Sequence, residues 1–350
     1  MSPGCAMAVR AAELTVGAGF ARGLLEFAVS KGAGRDELMA RAGLSPDDLA
    51  AQDGRVPWTR YVALMRAGKA LTGDPALALH YGEAVEISQV SIVGLIGRAA
   101  DTVMDSFATL NRFVRLIVET ENEGPGERFQ LRRDRAGLWM VDTRKDADAF
   151  PELTESWLAQ MICGPRRYDP RKWVKAAHVT HAAPAHAAEY EKVLGVPVTF
   201  GSDRNAMLIE EASLDAPVAY LPKYVKGVLT GHADALLREL EASKTTRGRV
   251  EALLKPMLHS GQASMDLVAG QLGLSRQTLF RRLKAEGVTF EQVLDELRCR
   301  LARDYLTGRR LSVNETAYLL GFSDPAAFSR AFKRWTGESP SAAREPDGDR

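Results

Sequence analysis

The 350-residue chain has few of the features that mark a secreted, membrane-bound or metal-dependent protein. Its three cysteines, Cys5, Cys163 and Cys299, lie far apart and form no metal-ligand spacing, a usage that fits free thiols in a reducing compartment. No apolar run approaches the ~18–20 residues that a membrane span needs. The first 20 residues lack the charged start and apolar core of a signal peptide. A cytoplasmic protein with no membrane partner is the expectation. Residues 1–225 carry no nucleophile elbow, phosphate loop or zinc signature, so neither catalysis nor a cofactor or metal is expected.

The near-neutral total of +1 hides an uneven distribution. Residues 246–344 carry 16 Lys and Arg against 10 Asp and Glu, a net +6, while residues 1–245 sum to −3. A basic C-terminal part beside a mildly acidic N-terminal part points to a polyanionic partner for the former alone. At this length about two domains are expected.

Taken in order, residues 20–120 read as helical. Phe20, Leu24, Phe27 and Ala28 fall on one helical face, as do Tyr61, Leu64 and Met65. Ser45-Pro46 and Asp74-Pro75 supply a capping oxygen followed by Pro at the first helical position. After the turn-rich ENEGPGE the texture changes. Arg128–Arg133 and Leu138–Thr143 read as a hairpin, Pro151–Ile162 and Ala185–Leu194 as helices, and Trp173–His181, Val196–Phe200 and Ala206–Ile209 as strands. Residues 1–225 are thus expected to form one α+β domain whose strand order the pattern leaves open. A helix over Leu221–Leu240 and the linker-like EASKTTRGR (241–249) lead to an all-α domain over 247–344, so 226–246 serve as the connection. Pro256 should end or kink the first helix of that domain, and residues 345–350 should fray.

The most informative stretch, residues 264–336, holds one unit used twice. Shifted by 48 positions, Ser264, Ala269, Leu272 and Gly273 meet Ser312, Ala317, Leu320 and Gly321. Shifted by 49, Leu279, Arg281, Leu283 and Lys284 meet Phe328, Arg330, Phe332 and Lys333. Each segment reads as a capped helix, a glycine turn and a second capped helix, which is a helix-turn-helix. In the first unit Leu279 and Leu283 must be core, leaving Gln277, Arg281 and Lys284 on the opposite face. In the second, Phe328, Phe332 and Trp335 are core, with Ala326, Arg330 and Lys333 outside. Between them Thr289 and Gln292 form a capping box, and Phe290, Leu294, Leu297, Leu301 and Tyr305 stripe a helix running to Gly308. A single helix of roughly 18 residues would span about 27 Å and hold the two second helices about one DNA turn, ~34 Å, apart. Packed helix pairs with solvated charge would explain one copy; two copies joined by a capped helix in a basic domain argue for DNA.

Residues ~247–344 also resemble the DNA-binding domain of AraC/XylS-type transcriptional regulators, most specifically in YLLGFSDPAAFSRAFKRWTGESPSAAR (318–344). Residues before ~220 resemble the effector-sensing domain of one branch of that family, in RVPWTRYVALMRAGKALTGDPALALHYGEAV and VPVTFGSDRNAMLIEEASLDAPV. The resemblance implies an activator or repressor that answers a small-molecule effector, binds double-stranded operator DNA in adjacent major grooves as a homodimer, and contacts RNA polymerase if it activates. It implies that the second helix of each unit enters the groove. Gln277 and Arg281 would then read bases, Arg276, Arg282, Lys284 and Lys333 would touch phosphates, and Arg330 would be the one long reader of the second unit. Ala326 and Ala327 offer only apolar contact, a departure from family members with polar residues there.

Other signals are weaker. Gly17, Gly19 and Gly23 approximate a dinucleotide fingerprint with the wrong spacing and no βαβ series. His178, His181 and His186 tempt a metal reading that no carboxylate pattern completes. Cys163 lacks a catalytic motif, and Arg132, Arg133 and Arg135 read as a solvated hairpin or, less simply, a carboxylate site. Trp139, Phe150, Trp157, Tyr168 and Trp173 are either an effector pocket or core.

Overall fold

The computed structural model describes residues 13–124, 126–169, 171–218, 221–308 and 311–344. The tail expected to fray lies outside them, as does Cys5. The chain divides into two compact units, Met1–Leu237 and Arg238–Arg350.

The first unit opens with strand β1 (Thr15–Gly17), helices α1 (Ala18–Ser30), α2 (Arg35–Ala42) and α3 (Pro46–Ala50), and strand β2 (Arg55–Pro57). Helices α4 (Trp58–Thr72), α5 (Leu77–Ala84), α6 (Ile87–Val90), α7 (Ile92–Arg98) and α8 (Val103–Ile117) follow. The two strands pair antiparallel and were not read from the sequence, because three residues are too few to show alternation. The helical faces are as read: Phe20, Leu24, Ala28, Tyr61, Leu64 and Met65 are all buried, with Phe27 packed beside them. Ser45 caps α3 in a full capping box with Asp48.

The second half of this unit holds β3 (Phe129–Asp134), β4 (Gly137–Asp142), α9 (Pro151–Arg166), β5 (Val174–His178), α10 (Ala187–Leu194), β6 (Val198–Thr199) and β7 (Asn205–Ile209). The sheet order is β3-β4-β7-β5-β6, antiparallel except for the β5–β6 pair. Arg128 and Asp142, a buried bidentate pair with distances of 3.0 and 2.8 Å, tie the two ends of the hairpin together. The apparent glycine fingerprint is a packing device: a Cβ on Gly19 would overlap the Val90 carbonyl, and one on Gly23 would crowd the Tyr81 hydroxyl at 3.0 Å.

Helix α11 (Lys223–Ala242) contains the division between the units, and its Ala233 is buried in the first core. The segment read as linker holds the end of α11 and the start of α12 (Thr246–Met257), with only residues 243–245 between. Thr245 caps α12 through the Gly248 N–H, and the Glu286 carboxylate accepts the N–H groups of Thr246 and Arg247. These two caps account for order where composition suggested a loose strand of chain. Pro256 sits in the last turn of α12, so the helix ends there as expected.

The second unit continues with α13 (Met265–Gln271), α14 (Arg276–Ala285), α15 (Phe290–Arg303), α16 (Val313–Leu319), α17 (Pro325–Thr336) and α18 (Pro340–Arg344). The connecting helix differs from the single 18-residue α-helix expected. It has 14 α-helical residues, about 21 Å at 1.5 Å each, and then a π-helical turn over Asp304–Gly308. The fully buried positions are Phe290, Val293, Leu297, Ala302 and Leu306, while Leu294, Leu301 and Tyr305 of the expected stripe are only partly buried.

Both glycine turns are left-handed, with φ of +65° at Gly273 and +74° at Gly321. Their surroundings differ: space is open at Gly273, whereas a Cβ on Gly321 would overlap the Leu258 carbonyl. Gly273→Ala should therefore cost only the left-handed strain, about 1–2 kcal/mol. Gly321→Ala should cost about 1–3 kcal/mol more, from the steric overlap. Chemical denaturation of the two variants measures the difference. Separately, Asp142→Asn should destabilise the first unit by about 3–5 kcal/mol, since it leaves the Arg128 charge buried without its partner.

Candidate nucleic-acid interface and buried cavity

Two pairs of helices, α13–α14 and α16–α17, are built by the same bonds. Ser264 Oγ accepts the Leu267 N–H and Ser312 Oγ the Glu315 N–H, which starts each first helix. The first helix is closed by the Leu274 N–H on the Ala269 carbonyl at 2.9 Å, and in the copy by the Phe322 N–H on the Ala317 carbonyl at 3.0 Å. Each closure needs the left-handed glycine that precedes it. Ser275 then caps α14 through the Thr278 N–H, and Asp324 caps α17 through the Ala327 N–H at 2.8 Å with Pro325 in the first turn. The repeat seen in the sequence is thus a repeat of hydrogen bonds.

The faces of the second helices follow from burial. Leu279, Leu283, Phe328 and Phe332 are withdrawn from water, and Trp335 is half-buried. Gln277, Arg281 and Lys284 are exposed on α14, and Ala326, Arg330 and Lys333 on α17. Arg276 is exposed but pairs with Asp266 at 2.6 Å, while Arg282 and Ala327 are half-buried. Helix α15 is bonded to the second pair and to α12. Its Arg298 donates to the Leu320 carbonyl at the end of α16 and lies 4.8 Å from the Phe322 ring centre. Its Asp295 holds Arg334 of α17 at 2.9 Å, and its Arg300 meets Glu251 of α12. Burial draws the Arg298 guanidinium below its ordinary pKa.

The first unit contains a cavity of about 290 Å³ among α7, α8, α9 and residues 213–218. Its walls are largely apolar, with Val93, Phe107, Leu110, Val114, Met140 and Met161 among them. Trp157, Tyr168 and Trp173 also line it, so three of the five aromatics singled out in the sequence come together there. The other two serve the core: Trp139 donates to Asp134 and Phe150 packs edge-on against Trp58. At one edge Glu86 accepts from Tyr168 at 2.6 Å, Ser88 at 2.8 Å and Arg98 at 2.7 Å. Those donors, the Tyr168 hydroxyl first, hold its carboxyl below the usual carboxylate range. The indole N–H groups of Trp157 and Trp173 and the amide nitrogen of Gln160 are buried with no hydrogen-bond partner. Gln160 escaped sequence reasoning. Its spacing of three from Trp157 on α9 was the available signal, whereas Trp173 reaches the same cavity only through tertiary packing.

The remaining candidate signals resolve into ordinary structure. The His178 ring packs at a tilt against Trp139 and bonds to Ser202, and burial lowers its pKa. His181 meets the Tyr190 hydroxyl, and His186 meets Glu155 at 2.9 Å. Among the described residues no group of three or more His, Cys, Asp or Glu could hold a metal ion. Arg133 pairs with Glu211 on the surface. Cys163 is buried, and burial pushes its thiol up. Among the described residues no helix is long and apolar enough to cross a membrane.

Comparison with known proteins agrees with both halves of this picture. Residues 32–218, more than half of the chain, match the arabinose-binding N-terminal domain of AraC transcription regulators, and residues 268–346 match a helix-turn-helix domain. The ornithine utilization regulator of Pseudomonas aeruginosa is 29% identical over 335 residues, covering 93% of this chain and 95% of the relative. The transcriptional regulator VirS of Mycobacterium tuberculosis is 24% identical over 310 residues, covering 85% and 86%. Among solved structures, the regulator CdpR of Pseudomonas aeruginosa aligns with 93% of this chain and 97% of its own, at 22% identity and a TM-score of 0.40. These relatives are transcription regulators and not enzymes. The chain therefore belongs to the AraC family of transcription regulators, with a DNA-binding helix-turn-helix domain behind a mixed α/β N-terminal domain of the arabinose-binding type.

Proposed function

We propose that the chain is a cytoplasmic, effector-controlled regulator that reads operator DNA with α14 and α17, in adjacent major grooves, and that residues 1–225 sense the effector and form the homodimer. The observation that carries the DNA reading is the pair of exposed polar faces on identically built scaffolds. Gln277 and Arg281 read base edges, Gln suiting adenine and Arg suiting guanine. Arg276, Arg282, Lys284 and Lys333 bind phosphates. Arg276 exchanges Asp266 for phosphate at little cost, since an exposed ion pair is worth only about 0–1 kcal/mol. Arg330 is the one long reader of α17, where Ala326 and Ala327 offer only a methyl surface. The first helix pair therefore sets most of the sequence preference and the second mainly anchors. Where the regulator activates, RNA polymerase is the further partner.

The cavity supports effector control over a purely dimerising role for the first unit, because unpartnered buried donors destabilise a fold unless something completes them. The relative named for ornithine utilization and the matched arabinose-binding domain both point to a small metabolite as the effector class.

Two outcomes follow for the full chain on its operator. Arg281→Ala should relax specificity at one base position by about 1–3 kcal/mol, whereas Lys333→Ala should weaken cognate and scrambled duplexes alike. Equal losses on both duplexes for Arg281→Ala would remove it from the reading set. With these four phosphate contacts in each protomer, log affinity should fall with log salt at a slope of about −3 to −4 per bound protomer, and Lys333→Ala should make that slope shallower by about one. Gel-shift titrations between about 50 and 200 mM salt measure both; salt-independent binding contradicts the proposal.

A further inference from the structure

We infer that the cavity takes a small carboxylic acid with an apolar body, its carboxylate held by the N–H groups of Trp157, Trp173 and Gln160. The inference rests on the reading of the first unit as effector-sensing and adds the chemistry of the ligand.

The three groups restrict that chemistry. An indole N–H can only donate, so whatever satisfies Trp157 and Trp173 must present acceptor atoms. An ammonium group has none. Trp157 and Gln160 stand one helical turn apart on α9, and Trp157 is fixed by stacking on Phe129 at 5.1 Å between ring centres. Donors left without a protein partner suit an acceptor with several lone pairs, which a carboxylate has.

Charge selects the same class. Four arginines, Arg98, Arg128, Arg167 and Arg171, line the cavity against two carboxylates, Glu86 and Asp169. Neither carboxylate is open to a cationic ligand: Glu86 already accepts from Tyr168, Ser88 and Arg98, and Asp169 is engaged by Arg171. An amine would therefore find no acceptor left for it, while three of the arginines are themselves held by Glu86, Asp142 and Asp169. A sugar fares badly for a different reason, because the apolar walls would leave most of its hydroxyls unpaired at a cost for each. Size sets the last limit. At ~30 Å³ per water-sized group the cavity has room for about ten non-hydrogen atoms.

The test uses the full-length chain and five probes of about that size: octanoate, 3-phenylpropanoate, octylamine, L-arabinose and L-ornithine. Thermal midpoint and tryptophan emission are followed against concentration. Octanoate and 3-phenylpropanoate should raise the midpoint and shift the emission; the amine, the sugar and ornithine should do neither. Trp157→Phe and Trp173→Phe keep an aromatic side chain but remove the N–H along with part of the indole volume, and each should weaken acid binding roughly ten-fold or more. Gln160→Leu should act in the same direction. Without ligand, both tryptophan variants should melt somewhat below the parent from lost packing volume, so the readout that separates the two roles is acid affinity. Unchanged acid affinity in both tryptophan variants would make the indoles structural and overturn the assignment. Stabilisation by the amine, the sugar or ornithine alone, lost in Trp157→Phe, would overturn the acid class and leave effector sensing intact. Silence from all five probes would overturn both.

Discussion

Leu279 and Leu283 on α14, and Phe328 and Phe332 on α17, are fully withdrawn from water, and what the second unit shows to solvent depends on that burial. Each such side chain contributes about 1.5–3 kcal/mol by leaving water. With one face of the helix committed in this way, the 3.6-residue period leaves Gln277, Arg281 and Lys284, or Ala326, Arg330 and Lys333, no direction but outward. The rotation of both reading faces is thus fixed by the core and not by the polar residues themselves.

The same core explains the connecting helix. Phe290, Val293, Leu297 and Ala302 are buried along α15, and Leu306 is buried in the π turn that follows it. Arg298 closes the end of α16 from this helix, and Asp295 holds α17. The helix therefore does more than space the two pairs: it supplies a capping donor and an ion-pair partner to the second. Nothing equivalent comes from α15 to the first pair in the bonds seen here. There the contact is made by Glu286, just past α14, which caps α12.

Legibility of this architecture in the sequence followed the range of the interactions involved. Caps and glycine turns act over three to six residues, so Ser264, Gly273, Ser275, Ser312, Gly321 and Asp324 could be placed from local pattern alone, and each does what its position implied. The hairpin was legible for the same reason. The order β3-β4-β7-β5-β6 was not, because it is set by packing between segments far apart in the chain. The π turn was missed because the apolar pattern through Leu301 and Tyr305 also fits an unbroken α-helix. Linker composition misled at 241–249, where Glu286, some forty residues away, supplies two of the bonds that hold α12. The cavity was half visible: Trp157, Tyr168 and Trp173 were named as candidates, but nothing local separated them from Trp139 and Phe150, which went to the core.

Two second helices built alike but carrying unequal exposed side chains make the proposed reading of DNA open to a direct measurement. Selection of full-length protein on a pool of randomised duplexes, followed by sequencing of the bound fraction, reports the base preference at every position of the site. Strong preference over one major-groove segment, with a weakly constrained second segment about one helical turn or ~10 base pairs away, is the predicted result. Equal information in both segments, or the stronger preference under α17, would contradict the account.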